Sequence, residues 1–425
     1  MIIMLLGLFI SLLLLGFPII AAMGIPSILY MIITDLPSSM ISYAIFQALN
    51  TFTLVAVPMF ILMGNLVNEF NETERIFNFA RLLLKNKKGY SARVNVIVSL
   101  IFSGISGAAL ADIGGLGQLE INAMEKEGFT RGYSAALTTA TSTVGPIFPP
   151  SVPLIIYAMA AEVSTLKALI SGMLPGILIA ISLYIFVVFQ IKNKSLKKRQ
   201  DNWDKQKVNT KRVVFAALPM LIAAPAVIIA LLSGYFSPSE AGVAGVIYIL
   251  LVGFFHNEIK ARKVIRALRN TYKSTARILL IVSIGSVFTK MLTLEQLSQI
   301  ISRTFFAISS NPIIILLLMN LLALLMGMFM EGISAIVLLT PIFLPIAQSI
   351  GLDPLQLGVI LVYNFMIGLS TPPFGLSVYT VSSVVDIGPE KVFSEMLPFY
   401  IPLFISLLII TFVPILSLYV PNLFF

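Results

Sequence analysis

Apolar stretches long enough to cross about 30 Å of hydrocarbon follow one another from end to end of this chain, and the longest polar interval is residues 192–212. That pattern predicts a polytopic, all-α membrane protein with no soluble domain. The first 33 residues are apolar but carry neither a basic n-region nor a clear cleavage site, so they are expected to be a retained span rather than a signal peptide. Further crossings are predicted near residues 131–162, 165–191, 213–233 and 239–255. Residues 95–125 depart from the pattern. There "SGISG" divides the chain into two apolar arms of roughly 10 to 15 residues, and at about 1.5 Å per residue each arm reaches only part-way through a bilayer. Such a segment folds as a re-entrant helical hairpin, whose turn must be surrounded by protein or water because lipid offers backbone groups no partner.

The same features recur later in the chain. A shift of 223 positions, without a gap, superimposes Gly104 on Gly327, Gly128 on Gly351, Gly145 on Gly368, Pro149 and Pro150 on Pro372 and Pro373, and Ser171, Met173, Leu174 and Pro175 on Ser394, Met396, Leu397 and Pro398. Matches of Leu or Ile would mean little in a chain that is 58% hydrophobic, but a paired G-x-x-x-P-P and a paired M-L-P are hard to obtain by chance. The hairpin tip at 103–107 falls opposite 326–330, within an apolar stretch that is likewise expected to fold as two short arms. The chain therefore reads as two repeats, each with a re-entrant hairpin and a helix broken at Pro-Pro.

Charge sets the orientation of the copies. The net charge is +9, and 22 of the 28 Lys and Arg fall in the segments 75–93, 192–212 and 260–277. The positive-inside rule places all three in the cytoplasm, which accounts for the basic excess without nucleic acid. The first and third mix apolar residues among the charges and are expected to be amphipathic helices lying on the bilayer surface. Their repeat equivalents, 298–316 and 37–54, hold only Arg303 and no basic residue, respectively. The repeats are therefore inverted: hairpin one opens to the cytoplasm, hairpin two to the outside, and both termini lie outside after about ten full crossings. Inverted repeats whose discontinuous helices meet near the midplane build secondary transporters. The chain has no cysteine, which excludes disulfides and thiol chemistry, and its one histidine, His256, is expected at the interface.

The breaks suggest their own chemistry. Pro149 and Pro150 have no N–H, so in helical register the carbonyls of Gly145 and Pro146 lose their partners; Pro372 and Pro373 do the same to Gly368 and Leu369. Freed carbonyls suit hard cations. More oxygen comes from the facing hairpin tips, from Ser103 and Ser106 in one copy and the backbone around Gly327 and Gly332 in the other, with Thr371 beside the second break. Two such cages predict two Na+ sites. The second arm of each hairpin and the half-helix after each Pro-Pro start near the midplane, so four positive helix ends converge there and favour an anion. Apart from Lys290, no basic residue is expected deep in the membrane. A carboxylate would then be held by Ser103, Ser106, Gly107, Thr141, Thr371 and the sodium ions. Asp112 and Glu331 are the two intramembrane acids, costly at that depth, and each reads either as a ligand at the site or as a hairpin N-cap.

The stretches "FSGISGAALADIGGLGQLEINAMEKEGF", "AALTTATSTVGPIFPPSVPLIIYAM" and "SGMLPGIL" resemble the large membrane subunit of tripartite ATP-independent periplasmic (TRAP) transporters, and the resemblance covers nearly the whole chain. It implies an elevator-type fold in a wider ion transporter superfamily, sodium-driven uptake across the bacterial inner membrane, a small four-helix membrane subunit as partner, and a periplasmic substrate-binding protein. Many relatives have a proline before the methionine where this chain reads "LEINAM", and its "GLGQLEI" run is closer to the sialic acid branch than to the dicarboxylate branch. A stand-alone sodium–anion symporter of the same superfamily would share the repeats and breaks. An intramembrane aspartyl protease would need Asp112 and Glu331 as its paired acids, without the G-x-G-D context, and proline-broken helices have no role in peptide hydrolysis. A channel could reuse the carbonyls, but re-entrant loops on an inverted repeat favour alternating access.

On this reading residues 1–70 and 213–255 are scaffold facing lipid and partners, 71–93 an amphipathic arm, 94–191 repeat one, 192–212 a basic cytoplasmic loop, 256–297 a second arm with a scaffold helix, and 298–425 repeat two. The polar repeats form the moving part. The inverted charge bias requires a periplasmic C-terminus, so a reporter that works only outside the cytoplasm will be active when fused after Phe425. Activity of a cytoplasm-only reporter at that position would sink the inverted-repeat reading.

Overall fold

The computed structural model describes residues 1–84, 87–193 and 210–425, and among these the regular structure is helical with no strand. Hairpin one runs up Tyr90–Ser106 and returns through Ala109–Asp112, a π-turn at Ile113–Gly117, and Gln118–Glu127. Broken helix one follows as Arg131–Thr141 and Val152–Ala160. In repeat two the same order is Pro312–Phe329 and Gly332–Ser349 for the hairpin, then Pro354–Gly368 and Leu376–Val385 for the broken helix. Shifted by 223, these boundaries agree to within two residues at every end but one: helix Arg131–Thr141 tightens into a 3₁₀ turn at Ser142–Val144, where repeat two stays α-helical to Gly368.

Local chemistry explains the ends. Thr130 caps broken helix one by accepting from the Tyr133 N–H at 3.2 Å, and Asp353 caps broken helix two by accepting from the Leu355 N–H at 2.7 Å. Both hairpins close their second arm on a left-handed glycine at equivalent positions, Gly128 (φ 101°) and Gly351 (φ 76°). The Pro149–Pro150 and Pro372–Pro373 bonds are both cis.

The repeats interlock rather than sit side by side. The second half of broken helix one packs on the second arm of hairpin two, and the second half of broken helix two packs on the π-turn of hairpin one and on Arg131–Thr141. Their inversion is visible in the contacts. Glu127 accepts from the N–H groups of Tyr90 (3.0 Å) and Ser91 (2.9 Å), and Tyr133 donates to Gln190 (2.9 Å), so the base of hairpin one sits at the end of helix Met173–Asn193 that leads into the basic segment. The far end of broken helix one meets the start of broken helix two, where Tyr157 donates to the Pro354 carbonyl. The two hairpins are thus based at opposite poles.

The ends of the described chain share a pole. The Met1 amine lies 3.6 Å from Glu295, at the C-terminal end of helix Ala261–Leu294, and Lys167 donates to the Phe425 carbonyl at 3.2 Å. The other pole carries the basic segments and an ionic cluster that fixes the arm helix Glu72–Leu84. There Glu72, fully buried, bonds His256 at 2.7 Å and Arg75 at 2.9 Å, and Arg75 also reaches Glu258 at 3.5 Å. The hydrogen bond from Lys263 holds Glu258 below the usual carboxylate range, whereas burial raises Glu72 against the opposing pull of His256 and Arg75. His256 is therefore a structural partner of the arm at the interface.

Several expectations change. The first 33 residues are not one span but two short helices packed together, Ile2–Leu14 and Ile19–Ile33, because Gly16 (φ 80°) and Pro18 turn the chain. The basic segment 260–277 is not a separate surface helix. It is the first half of the uninterrupted 34-residue helix Ala261–Leu294, about 51 Å long, which has no Pro and no Gly before Gly285. The arms of hairpin two are 18 residues each, longer than expected, since Pro341 and Pro345 sit inside the second arm without ending it. Among the described residues eight helices are long and apolar enough to cross a membrane, fewer than the ten crossings expected, because the broken crossings are divided into shorter helices while both arms of hairpin two qualify. Most of the basic loop 192–212, and residues 85 and 86 of the first arm, lie outside the described residues.

The closest backbone-to-backbone joint in repeat two is Gly368 on Gly327, where a Cβ added at 368 would lie 2.6 Å from the Gly327 carbonyl carbon and 2.7 Å from its Cα. Backbone cannot yield as a side chain can. Gly368→Ala is therefore expected to cost about 1–3 kcal/mol and to lower the thermal midpoint of the detergent-solubilised protein by several degrees. An unchanged midpoint would show that the hairpin can lift off its broken helix at no cost.

Candidate functional site

The tip of hairpin one is seated on the first break. The chain turns at Gly107 (φ 61°), where a Cβ would meet the Pro150 carbonyl oxygen at 2.3 Å, and the Gly107 carbonyl accepts from the Val152 N–H at 3.4 Å. Only glycine allows this approach. Ser106 donates to Oδ1 of Asp112, while Oδ2 has no partner and points at Gly145, 2.4 Å from where a side chain there would begin. Asp112 is 3% exposed. Asp112 and Ser106 thus face a break in which every residue from Ser142 to Val152 is buried.

The carbonyls freed by proline are largely recaptured by the turns that follow. The Pro146 carbonyl accepts from the Ser151 hydroxyl, that of Gly368 from the Thr371 N–H at 2.9 Å, and that of Leu369 from the Ser377 N–H at 3.0 Å. Each keeps one lone pair. The Gly145 carbonyl has no hydrogen-bond donor among the described residues. The hydroxyls of Ser103 and Thr371 are spent on their own helices, bonded to the carbonyls of Ser99 (2.5 Å) and Ile367 (2.7 Å). Pro372 and Pro373 are exposed, unlike Pro149 and Pro150, and the position equivalent to Asp112 in repeat two is Ala335. The two candidate cation sites are unequal.

Between the hairpin tips lies a cavity of about 320 Å³. Of the residues anticipated from sequence, Ser106, Pro146, Glu331, Gly332 and Leu369 line it; Ser103, Gly107, Asp112, Thr141, Gly145, Pro149, Gly327, Gly368, Thr371 and Pro372 do not. Its other wall comes from Ile61, Gly64 and Asn65 of helix Ala56–Glu69 and from Ser274, Arg277 and Ile278 of the long helix. Thr141 instead donates to Asn95 at 2.8 Å, deep inside repeat one. Glu331 occupies the N-cap position of the second arm of hairpin two but caps nothing; its carboxylate faces the cavity within the field of Arg277.

Of the four helix ends expected to converge, the one after Gly375 does not reach the cavity and the one at Val152 has its donors taken by Gly107 and by Ser151, whose hydroxyl accepts from the Leu154 N–H at 3.1 Å. The two at the hairpin tips, starting at Ala109 and Gly332, open into the cavity with no side-chain cap. Two uncapped helix ends beside a guanidinium suit a small anion. Arg277 was counted with the cytoplasmic basic cluster, and the uninterrupted run from 261 to 284 is the signal that would have carried it about 24 Å inward. Glu120, 1% exposed, was also missed, since Asp112 and Glu331 were counted as the two intramembrane acids; it stands five residues before the charged hairpin base "EKE".

Residues 6–416 match the family model described as the tripartite ATP-independent periplasmic transporter, DctM component. The chain is 37% identical, over 96% of each partner, to the sialic acid TRAP transporter large permease protein SiaM of Vibrio cholerae. It is 30% identical to the C4-dicarboxylate TRAP transporter large permease protein DctM of Pseudomonas aeruginosa, over 91% of this chain and 90% of that one. Among solved structures it resembles the Alcanivorax borkumensis YdaH transporter (TM-score 0.56, 17% identity, 99% and 98% of the two chains) and Neisseria gonorrhoeae MtrF (TM-score 0.60, 15% identity, 90% and 83%). At those identities the likeness is one of fold.

Asp112 is the carboxylate with a free oxygen turned to a Pro-Pro break, so a cation bound there must feel its charge. Asp112→Asn keeps the acceptor for Ser106 and removes the charge. If the break holds the sodium ion expected from the sequence, the substitution raises the sodium concentration for half-maximal uptake at least about tenfold, the loss of one charge-assisted contact. An unchanged sodium dependence in well-folded protein would leave Asp112 a purely structural partner of Ser106.

Proposed function

We propose a transport function for this chain, which belongs to the DctM-component family of the tripartite ATP-independent periplasmic transporters and is a multi-pass membrane permease subunit, not an enzyme: it moves a carboxylate inward, driven by sodium, at the cavity between the hairpin tips. The observation that carries this is Arg277, brought by a continuous helix to a 320 Å³ cavity into which two uncapped helix ends open. Sites of this volume suit small molecules, and a guanidinium binds a carboxylate through two parallel N–H bonds. Sialic acid is favoured over a dicarboxylate by the higher identity to SiaM than to DctM. A periplasmic binding protein would deliver the substrate, and a small membrane subunit would cover part of the apolar exterior.

Sodium at the Asp112 break stiffens the tip of hairpin one, and with it the uncapped end at Ala109. Cation and anion binding are coupled in this way without direct contact. The cavity divides the hairpins and broken helices from helix Ala56–Glu69 and the long helix, so a sliding of the first group past the second, an elevator, would carry Ser106 and Gly332 away from Arg277. Arg277 would then hold substrate in one state only. The basic pole faces the cytoplasm and the pole with both chain ends faces the periplasm, in keeping with the positive-inside rule.

Uptake into proteoliposomes containing this chain, its small membrane subunit and the binding protein, over a panel of carboxylates with and without sodium, tests the reading. Arg277→Ala is expected to weaken apparent substrate affinity about 10- to 100-fold while leaving the midpoint of sodium binding measured without substrate unchanged, with Arg277→Lys in between. Equal uptake by Arg277→Ala would remove the cavity as the substrate position, and full transport by this chain alone would make it a stand-alone symporter.

A further inference from the structure

The second arm of hairpin one holds a buried carboxylate that neither the cavity nor the break uses. Glu120 is 1% exposed, and its Oε2 accepts from Asn95 Nδ2 at 2.7 Å and from Thr138 Oγ1 at 3.3 Å. Asn95 is held in that orientation by Thr141, which donates to its carbonyl oxygen at 2.8 Å. Yet Oε1 is buried with no partner, as is Oδ2 of Asp112, and among the described residues no Lys, Arg or His pairs with either. Two carboxylates in a membrane interior without a basic partner need a cation or a proton to neutralise them.

The π-turn aligns them. In an uninterrupted α-helix, residues eight apart stand about 80° out of line; the turn at Ile113–Gly117 absorbs one residue, about 100°, and brings Asp112 and Glu120 within about 20° of one line. Glu127, seven residues further, continues that line to the hairpin base. Ser99 and Thr138 supply oxygen beside Glu120. The equivalent of Glu120 in repeat two is Phe343, so nothing comparable exists there.

We propose that Glu120, with Ser99 and Thr138, is a sodium site of repeat one separate from the break, and that a cation leaving Asp112 passes along the inner line of the arm through Glu120 to Glu127. The inference rests on the sodium reading above. The path leads to the pole that carries the basic segments, so release is directed to one side by a feature present in one repeat only.

The test is the number of sodium ions moved per substrate, from reversal potentials in proteoliposomes of the complete complex, at pH 6 and pH 8. Wild type without sodium-coupled current would fail the sodium reading before any variant is compared. Given coupling, Glu120→Gln is expected to move one fewer sodium per substrate than wild type at both pH values. The same number as wild type overturns the proposal, and so does an unchanged number with a lost pH dependence, which would make Glu120 a proton site. Should Glu120→Gln fail to fold, Thr138→Val keeps the carboxylate and removes one oxygen. It is expected to raise the midpoint of sodium-dependent thermal stabilisation of the purified chain at least threefold, and an unchanged midpoint overturns the proposal equally.

Discussion

Hydrocarbon cannot hydrogen-bond a peptide group, and the whole architecture follows from placing broken backbone inside it. A helix interrupted at mid-depth survives only if something else meets its exposed groups. Here the partner of each break is the tip of a hairpin from the same repeat, and the far half of each broken helix packs on the opposite repeat. Neither repeat can bury its own break alone. That mutual dependence explains why the register of 223 residues extends to the helix ends and the capping glycines: a shift in either copy would uncover polar backbone.

Within this frame the two copies have diverged in chemistry. The first break is wholly buried, touched by the Gly107 turn, and has a carboxylate oxygen without a partner aimed at it. The second is partly exposed, and its Gly327–Gly368 contact is backbone against backbone. Each hairpin is tied to its broken helix by an asparagine, Asn95 with Thr141 and Asn320 with Asn364 at 2.7 Å, where Thr141 and Asn364 are equivalent under the repeat. Only the first tie includes an acid, Glu120. Symmetry supplies the paired breaks and hairpins, and departures from symmetry supply the buried acids.

The cavity draws its positive charge from outside the repeats. Arg277 belongs to a helix that starts in the basic cluster and runs on without a break, so a residue that looks cytoplasmic by position ends beside the hairpin tips. A basic side chain at that depth is tolerable because Glu331 shares its field and the cavity has room for water.

Composition and period made the sequence legible where the physics is local. Apolar runs set the helices, paired Gly and Pro set the breaks and turns, and the bias of Lys and Arg set which ends share a pole, because each depends on a residue and its near neighbours. Asp112 and Ser106 were legible for the same reason, six residues apart at one turn. What the sequence left open depends on how the chain turns after each break and on partners distant in the chain. Whether a carbonyl freed by proline is recaptured is decided by Ser151 or Ser377 arriving from the next helix; whether Thr141 faces a cavity is decided by Asn95, 46 residues away. The depth of Arg277 was decided by helix continuity, and the alignment of Glu120 under Asp112 by one extra residue in a π-turn. Side-chain direction is fixed only when neighbouring helices have taken their places, so the site's elements could be read from the sequence, but which of their oxygens are free was settled by packing.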